Sequence, residues 1–271
     1  MHKQNLHTHS NYSDGKNSPE ETVLAAIARG FDSLGFSEHS YNKYSTWPYQ
    51  MTPERTALYV QEIRTLAEKY RGQIDIFCGL EYELVADYPT EPLDYIIGSV
   101  HYLDCGSKTA SFDSNLERTL DYINTYFAGD GMRFAKCYFE TVSRLAEKGR
   151  IDIIGHFDLI SKNTEQGSFL DTDDKRYLRM GLEAIHALKG KIPFFEVNTG
   201  AIARGYRTAP YPKLEFLREF KACGFGAVIT SDCHDKQLLD HSFDMAADYL
   251  AAAGFTSKWI LTDNGFKEIA L

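Results

Sequence analysis

No run of lysine or arginine crosses this chain, and its 29 basic residues are outnumbered by 38 acidic ones, for a formal net charge of −9. Gripping nucleic acid without regard to sequence needs a basic footprint, so nucleic acid is not an expected partner. No apolar stretch approaches the roughly 20 residues of a membrane span, and no apolar segment near the N-terminus reads as an export signal. No membrane partner is expected, and the expected location is cytoplasmic. Cysteine is sparse: Cys78, Cys105, Cys137, Cys223 and Cys233 are scattered, odd in number and never spaced Cys-x-x-Cys. Reduced thiols follow. No linker of Pro, Gly and Ser divides the 271 residues, and no close repeat is visible. With 43% hydrophobic and 25% charged residues, the composition is that of a globular protein. A single domain over 1–271 is expected.

What is present is an alternation of strand and helix, repeated about seven times. Ser18-Pro19-Glu20-Glu21 reads as a helix start, with Ser as cap, Pro at the first turn and Glu closing a capping box. That helix should stop at Gly30. Thr52-Pro53-Glu54 starts a second, with an apolar stripe at Leu58, Ile63, Leu66 and Tyr70. Further helices are predicted over 115–148 (broken near Gly129-Asp130-Gly131), 174–188, 213–222 and 243–252. Strands are predicted up to residue 7 and over 33–37, 74–80, 95–100, 151–155, 192–197 and 226–230, with a closing strand at Trp259-Ile260-Leu261. Strand and helix in turn mean a parallel sheet with helices outside. A closed barrel and an open sheet both fit that pattern.

The polar residues decide between them. His7 and His9, two apart at a strand end, should point the same way, with Asp14 in the Ser-Asp-Gly turn beyond. His39, Glu81, His101, His156, Asp232 and His234 also fall at or just past the C-terminal end of a predicted strand. In a barrel those ends converge on one mouth, where functional groups gather. The expectation is therefore a distorted (βα)7 TIM-like barrel with its metal site at the C-terminal strand ends. Six histidines and three carboxylates are too many ligands for one ion. Two or three divalent ions would use them, and imidazole with carboxylate suits Zn, Fe or Mn. The three remaining histidines, His2, His186 and His241, are expected at the surface.

Seven short motifs occur in order: His7-Thr8-His9-Ser10, Ser13-Asp14-Gly15, Ser37-Glu38-His39, Gly79-Leu80-Glu81, Gly98-Ser99-Val100-His101, Gly155-His156-Phe157-Asp158 and Ser231-Asp232-Cys233-His234. On these motifs the chain resembles the PHP family, named for polymerase and histidinol phosphatase, and within it the monofunctional histidinol-phosphatases. The resemblance implies a distorted (βα)7 barrel and a trinuclear metal centre. Its ligands would fall on His7, His9, Asp14, His39, Glu81, His101, His156, Asp232 and His234. It also implies hydrolysis of L-histidinol phosphate to histidinol and phosphate, a step of histidine biosynthesis. Cys233 stands where the family often has Ala or Ser, and is read as a small buried residue.

The chemistry expected of such a centre is phosphomonoester hydrolysis. A hydroxide bridging two ions would attack phosphorus, because metal lowers the pKa of bound water towards about 7. Three divalent ions would bring +6, against −4 from three carboxylates and a hydroxide, leaving +2 to meet a phosphate monoester dianion. Asp232 and His234 are the expected catalytic ligands. A fork-shaped cation is wanted for the non-bridging oxygens, and the loop 198–207 offers Arg204, the better candidate by resemblance, and Arg207. Lys162 is a weaker third. Glu83, Asp87, Asp158 and Glu165 could each meet a substrate ammonium, and the aromatics of 41–49, with Trp47 and Pro48, could cover a ring. The alternatives are a PHP phosphoesterase acting on another small monoester or a nucleotide, a non-catalytic metal module, and an amidohydrolase, which typically needs a bridging lysine not found at any strand end. Oligomeric state is left open.

Overall fold

The computed structural model describes residues 2–45, 50–86, 88–90, 92–106 and 108–271. In chain order the elements are β1 (Gln4–Asn5), α1 (Pro19–Ala28), β2 (Ser33–His39), α2 (Pro53–Lys69), β3 (Asp75–Glu83), β4 (Tyr95–Ser99), β5 (Tyr102–Asp104), β6 (Thr109–Ser111), α3 (Leu116–Phe127), α4 (Gly131–Val142), β7 (Ile153–Ile154), α5 (Lys175–Leu188), β8 (Phe194–Asn198), α6 (Gly200–Ala203), α7 (Leu214–Ala222), β9 (Gly226–Thr230), α8 (Phe243–Ala252), β10 (Ser257–Thr262) and β11 (Gly265–Ala270). Seven strands form one parallel sheet in the order β1-β2-β3-β4-β7-β8-β9. The segment after β1 then bridges to the far edge: His9 N–H donates to the Cys233 carbonyl at 2.8 Å, and Cys233 N–H to that of His7 at 2.9 Å. On its other side Ser37 N–H donates to the Thr8 carbonyl at 2.9 Å. The sheet is thus a nearly closed barrel.

Local sequence explains the starts. Ser18 caps α1 in a full capping box with Glu21, and Thr52 caps α2 ahead of Pro53. The stripe expected on α2 is shifted: Leu58 is exposed, and the buried positions are Thr56, Tyr59, Ile63 and Leu66. Counting back from Ile63 by the helical repeat reaches 59 and 56, not 58.

The barrel interior is packed around the side chain of Tyr95. Tyr95 on β4 is fully buried and donates its hydroxyl to the carbonyls of Leu6 (2.5 Å) and Phe36 (2.9 Å). Gly35 and Gly79 make room for it. A Cβ on Gly35 would lie 2.4 Å from the Tyr95 hydroxyl, and one on Gly79 2.6 Å from its ring. Leu6, Phe77, Ile97, Ile153, Phe194 and Val228 complete this inner cluster.

Trp259-Ile260-Leu261 does not close the barrel sheet. It lies in β10, which pairs antiparallel with β11 as a separate hairpin. The hairpin covers the base: Leu261 joins the inner cluster, Trp259 and Phe266 pack on Phe194, and the Gln4 amide bonds both backbone groups of Leu261 at 2.8 Å. Two further elements were not expected from sequence, the β5–β6 hairpin and the short α6 in the loop that carries Arg204.

Candidate metal centre

With the base plugged, polar side chains gather at the opposite, C-terminal mouth. Alternation along β3 puts Phe77, Gly79 and Glu81 on one face, so the strand that meets Tyr95 also carries Glu81 upward. Around this one carboxylate stand five imidazoles. Glu81 Oε1 is 2.8 Å from His156 Nε2, 3.4 Å from His7 Nε2 and 3.5 Å from His101 Nε2. Its Oε2 is 2.8 Å from His39 Nδ1 and 3.6 Å from His9 Nε2. At the outer end, Asp14 Oδ2 is 3.0 Å from His234 Nε2 and 3.3 Å from His39 Nε2, and Asp14 Oδ1 is 3.6 Å from His9 Nδ1. Asp232 Oδ1 lies 3.3, 3.5 and 3.6 Å from His9 Nε2, His234 Nδ1 and His7 Nε2. Asp232 takes a left-handed backbone conformation (φ 45°), one that Asp adopts more readily than most residues. All nine residues singled out in the sequence therefore meet at one place.

The donor atoms of eight of them form three overlapping groups: His9, Asp14, His39 and His234; His7, His9 and Asp232; and His39, Glu81 and His101, with His156 joined to the last through Glu81. Within each, the atoms lie within 4.8 Å of one another. The imidazoles are close-packed, with ring centroids 4.3 Å apart for His9 and His234 and 4.5 Å for His9 and His39. Several adjacent cations would repel, so neutral rings holding positive ions between them suit the arrangement better. His7 Nε2 and His9 Nε2 are buried and make no hydrogen bond. A buried acceptor without a partner is costly, and a cation satisfies both. The donor set fits divalent ions that accept nitrogen and oxygen ligands.

Without an ion, carboxylates and imidazoles offset one another's charge, and against the pull of burial the neighbouring carboxylates hold His39, His101 and His234 above the usual imidazole range. Burial alone would raise Asp14, Glu81 and Asp232, but surrounding imidazoles, and Arg204 for Asp232, hold all three well below the usual carboxylate range. They stay ionised. His9 is pushed down to about 4 by burial and by His234 and His39, so it is neutral and its lone pair is free. Burial would lower His7 too, but Glu196, Glu81 and Asp232 outweigh it and hold it high.

A second layer of carboxylates orients the first. Glu196 on β8 is fully buried. Its Oε2 accepts from His7 Nδ1 (2.9 Å) and Thr230 Oγ1 (2.8 Å), and its Oε1 from His156 N–H (2.6 Å) and Asn198 Nδ2 (2.8 Å). With Nδ1 engaged, Nε2 of His7 faces the centre, the usual carboxylate–histidine–metal arrangement. Glu83 does the same for His101, accepting from its backbone N–H at 2.8 Å and from its ring Nδ1. Glu38 holds the loop before Asp14, accepting from Ser10 N–H (2.7 Å), Ser10 Oγ (2.5 Å) and Ser13 Oγ. Sequence reasoning missed Glu196. Its signal was a lone carboxylate inside the apolar run Phe194-Phe195-Glu196-Val197.

Arg204 stands at the rim. Its Nη2 is 2.7 Å from Asp232 Oδ2, and its Nη1 donates to the Asp232 carbonyl at 3.0 Å. Arg207 has its Nη1 on Ser161 Oγ and its guanidinium 4.6 Å over the Tyr211 ring. Lys162 pairs with Asp113 at 2.8 Å. Cys233 is buried, its Sγ 3.0 Å from the Asp235 carbonyl, and burial pushes the thiol up to about 12. Of the acids considered for an ammonium, Asp158 accepts from Lys213 N–H and Glu165 from Thr208 N–H. Glu83 lines a cavity at the mouth. Asp87, Trp47 and Pro48 lie outside the described residues. His186 is exposed against Glu219, His2 is half-buried against Ser33, and His241 is half-buried in a turn.

Among proteins of known sequence, the chain is 27% identical over 263 residues to a Schizosaccharomyces pombe protein named probable histidinol-phosphatase, covering 88% of this chain and 82% of that one. It is 25% identical over 267 residues to the histidinol-phosphatase of Bacillus subtilis, covering 90% and 98%. The fold is similar to that of histidinol phosphate phosphatase from Lactococcus lactis, solved with Zn, L-histidinol and phosphate, at a TM-score of 0.73 and 20% identity over 98% of each chain. The PHP domain matches residues 5–200, and the chain belongs to the PHP domain family.

Proposed function

We propose that this protein is a metal-dependent phosphomonoesterase that hydrolyses L-histidinol phosphate to histidinol and phosphate. The observation that carries the reading is the set of three overlapping donor groups built from His7, His9, Asp14, His39, Glu81, His101, Asp232 and His234, with His156 against Glu81 and Arg204 against Asp232 at their edge. These nine would hold two to three divalent ions, Zn, Fe or Mn; the Lactococcus lactis structure carries Zn. When bound, such ions supply a water acidic enough to act as nucleophile at neutral pH, and positive charge for the phosphoryl oxygens. The chain's own residues do the rest. Asp232 and His234 hold the centre next to the reacting group. Glu196 and Glu83 keep His7 and His101 in the tautomer that faces inward. Arg204 offers a planar fork to the non-bridging oxygens. The whole chain, 1–271, is read as one barrel domain with the β10–β11 hairpin as its base.

The names of the relatives support the choice of histidinol phosphate among monoesters. A phosphate-release assay on the metal-loaded protein tests it, with histidinol phosphate, a nucleoside monophosphate, p-nitrophenyl phosphate and a short oligonucleotide at equal concentration. The expected result is a kcat/KM for histidinol phosphate at least about 10²-fold above the others, the discrimination given by roughly 3 kcal/mol of specific contacts. A flat profile would leave a generic phosphomonoesterase, and preference for the oligonucleotide would overturn the reading.

A further inference from the structure

A cavity of about 270 Å³ opens beside the candidate metal centre. Asp14, His39 and His101 form its inner wall, and Asn42, Gln50 and Glu83 are among the residues lining the rest. Its size suits a small organic group rather than a macromolecule. Three polar atoms on these lining residues are buried and have no partner: Asn42 Nδ2, Gln50 Oε1 and Glu83 Oε2. Asn42 and Glu83 are each 3% exposed. Buried polar atoms are rarely left unpaired in a native protein, and three on residues that line one small cavity ask for a polar occupant.

The geometry sets the occupant's chemistry. Glu83 spends Oε1 on His101, which leaves Oε2 as an acceptor. Asn42 spends Oδ1 on Tyr44 N–H at 2.9 Å, which fixes Nδ2 as a donor. Gln50 can present either end of its amide. Asp113 also lines the cavity, its charge met by Lys162. Besides the metal candidates, the lining therefore offers one carboxylate acceptor, one donor and one adaptable amide. That set fits a group with N–H or ammonium donors and one lone pair. It does not fit a second anion or a bare hydrocarbon.

We infer that this cavity selects the alcohol half of the substrate, and that Asn42, Gln50 and Glu83 are specificity-determining residues for a leaving alcohol that carries an ammonium or a ring N–H. The inference rests on the phosphomonoesterase reading and deepens it. Phosphate sits on the metals and Arg204 while the nitrogen-bearing half enters the cavity. An ester without nitrogen donors gains nothing there and leaves Glu83 Oε2 buried and unpaired, which is how such sites reject analogues.

Two measurements separate this inference from the reading beneath it. The first is binding of L-histidinol alone to the metal-loaded protein by calorimetry, which needs no turnover. Asn42→Leu and Gln50→Leu, neither of them among the nine metal candidates, should each weaken Kd at least about tenfold. Unchanged Kd in both variants overturns the inference, whatever the enzyme hydrolyses. The second is the ratio of kcat/KM for histidinol phosphate to that for p-nitrophenyl phosphate. It should fall at least about tenfold in both variants and in Glu83→Gln. The ratio is the readout because Glu83→Gln also disturbs His101 and slows both esters. A ratio unmoved in all three variants overturns the inference. Failure of wild-type protein to hydrolyse either ester fails the phosphomonoesterase reading instead, and leaves the calorimetric result to decide the cavity.

Discussion

His7 Nδ1 and Glu196 Oε2 stand 2.9 Å apart, both fully buried, one on the segment that closes the barrel and the other on β8. Four donors converge on the Glu196 carboxylate: the His7 ring, Thr230 Oγ1, His156 N–H and Asn198 Nδ2. Only an ionised carboxylate can accept from all four. Glu196→Gln places an NH2 group against two donors and frees the His7 ring to turn. Metal affinity should fall about 10- to 100-fold, the usual cost of losing the partner that orients a ligating histidine. Chelator competition measures it, with circular dichroism to show that the barrel persists. Full wild-type affinity in the folded variant would refute the orienting role.

Arg204 tests the phosphate end. Arg204→Ala should lower kcat/KM about 10²- to 10³-fold, by analogy with removal of one preorganised donor aimed at developing charge. Because Arg204 also touches Asp232, metal content must be measured alongside. Arg204→Lys keeps the charge but loses the fork, and should recover only part of the rate. If Arg204→Ala turns over like wild type with its metals in place, the assignment is wrong and Arg207 is next.

Why so much of this centre was legible, and some of it not, follows from particular residues. The nine candidate ligands are visible because parallel strands converge at their C-terminal ends, so His39, Glu81, His101 and His156 need only end their strands to meet. The strand-end position of each is a one-dimensional fact. The partners of those residues are not. Glu196 meets His7 across 189 residues of sequence, and nothing local separates a buried orienting carboxylate from a charge at a strand edge. That Glu83 also orients His101 was not visible, because their bond depends on register between β3 and the turn after β4. The hairpin at the base failed for another reason. Trp259-Ile260-Leu261 has strand composition, but whether it joins the barrel or pairs with residues 265–270 is decided by the ring already closing through Thr8 and Cys233.

Chelation supplies a stability test. Ions that bind only the folded chain stabilise it by about 2.7 kcal/mol per site at a hundredfold excess over Kd. For a chain of this size that corresponds to roughly 5 °C in Tm per site. Stripping the metals should lower Tm by at least that much, and adding back Zn or Mn should restore it. Elemental analysis of active protein should give two to three ions per chain. Less than one ion per chain, or a Tm indifferent to chelator, would remove the basis of the proposed chemistry.

The last prediction concerns the barrel that carries the site. Gly35 faces the Tyr95 hydroxyl so closely that a Cβ there would sit 2.4 Å from it, with a Leu6 methyl 2.8 Å away. Gly35→Ala should therefore destabilise the fold by about 1–3 kcal/mol through overpacking. Tyr95→Phe removes the clashing oxygen but also its hydrogen bonds to Leu6 and Phe36, at roughly 0.5–1.5 kcal/mol each. The two costs are not independent, because the hydroxyl that Ala collides with is the one Phe lacks. The double variant should be more stable than the sum of the single losses predicts, by at least about 0.5 kcal/mol. Urea denaturation of the metal-loaded proteins measures all four corners of the cycle. Strict additivity would show that Gly35 is needed for backbone reasons rather than to admit Tyr95. A Gly35→Ala variant as stable as wild type would mean the barrel can widen there. In that case the mouth above, where Glu81 rises from the neighbouring strand, is held in register by the metals more than by the packing beneath it.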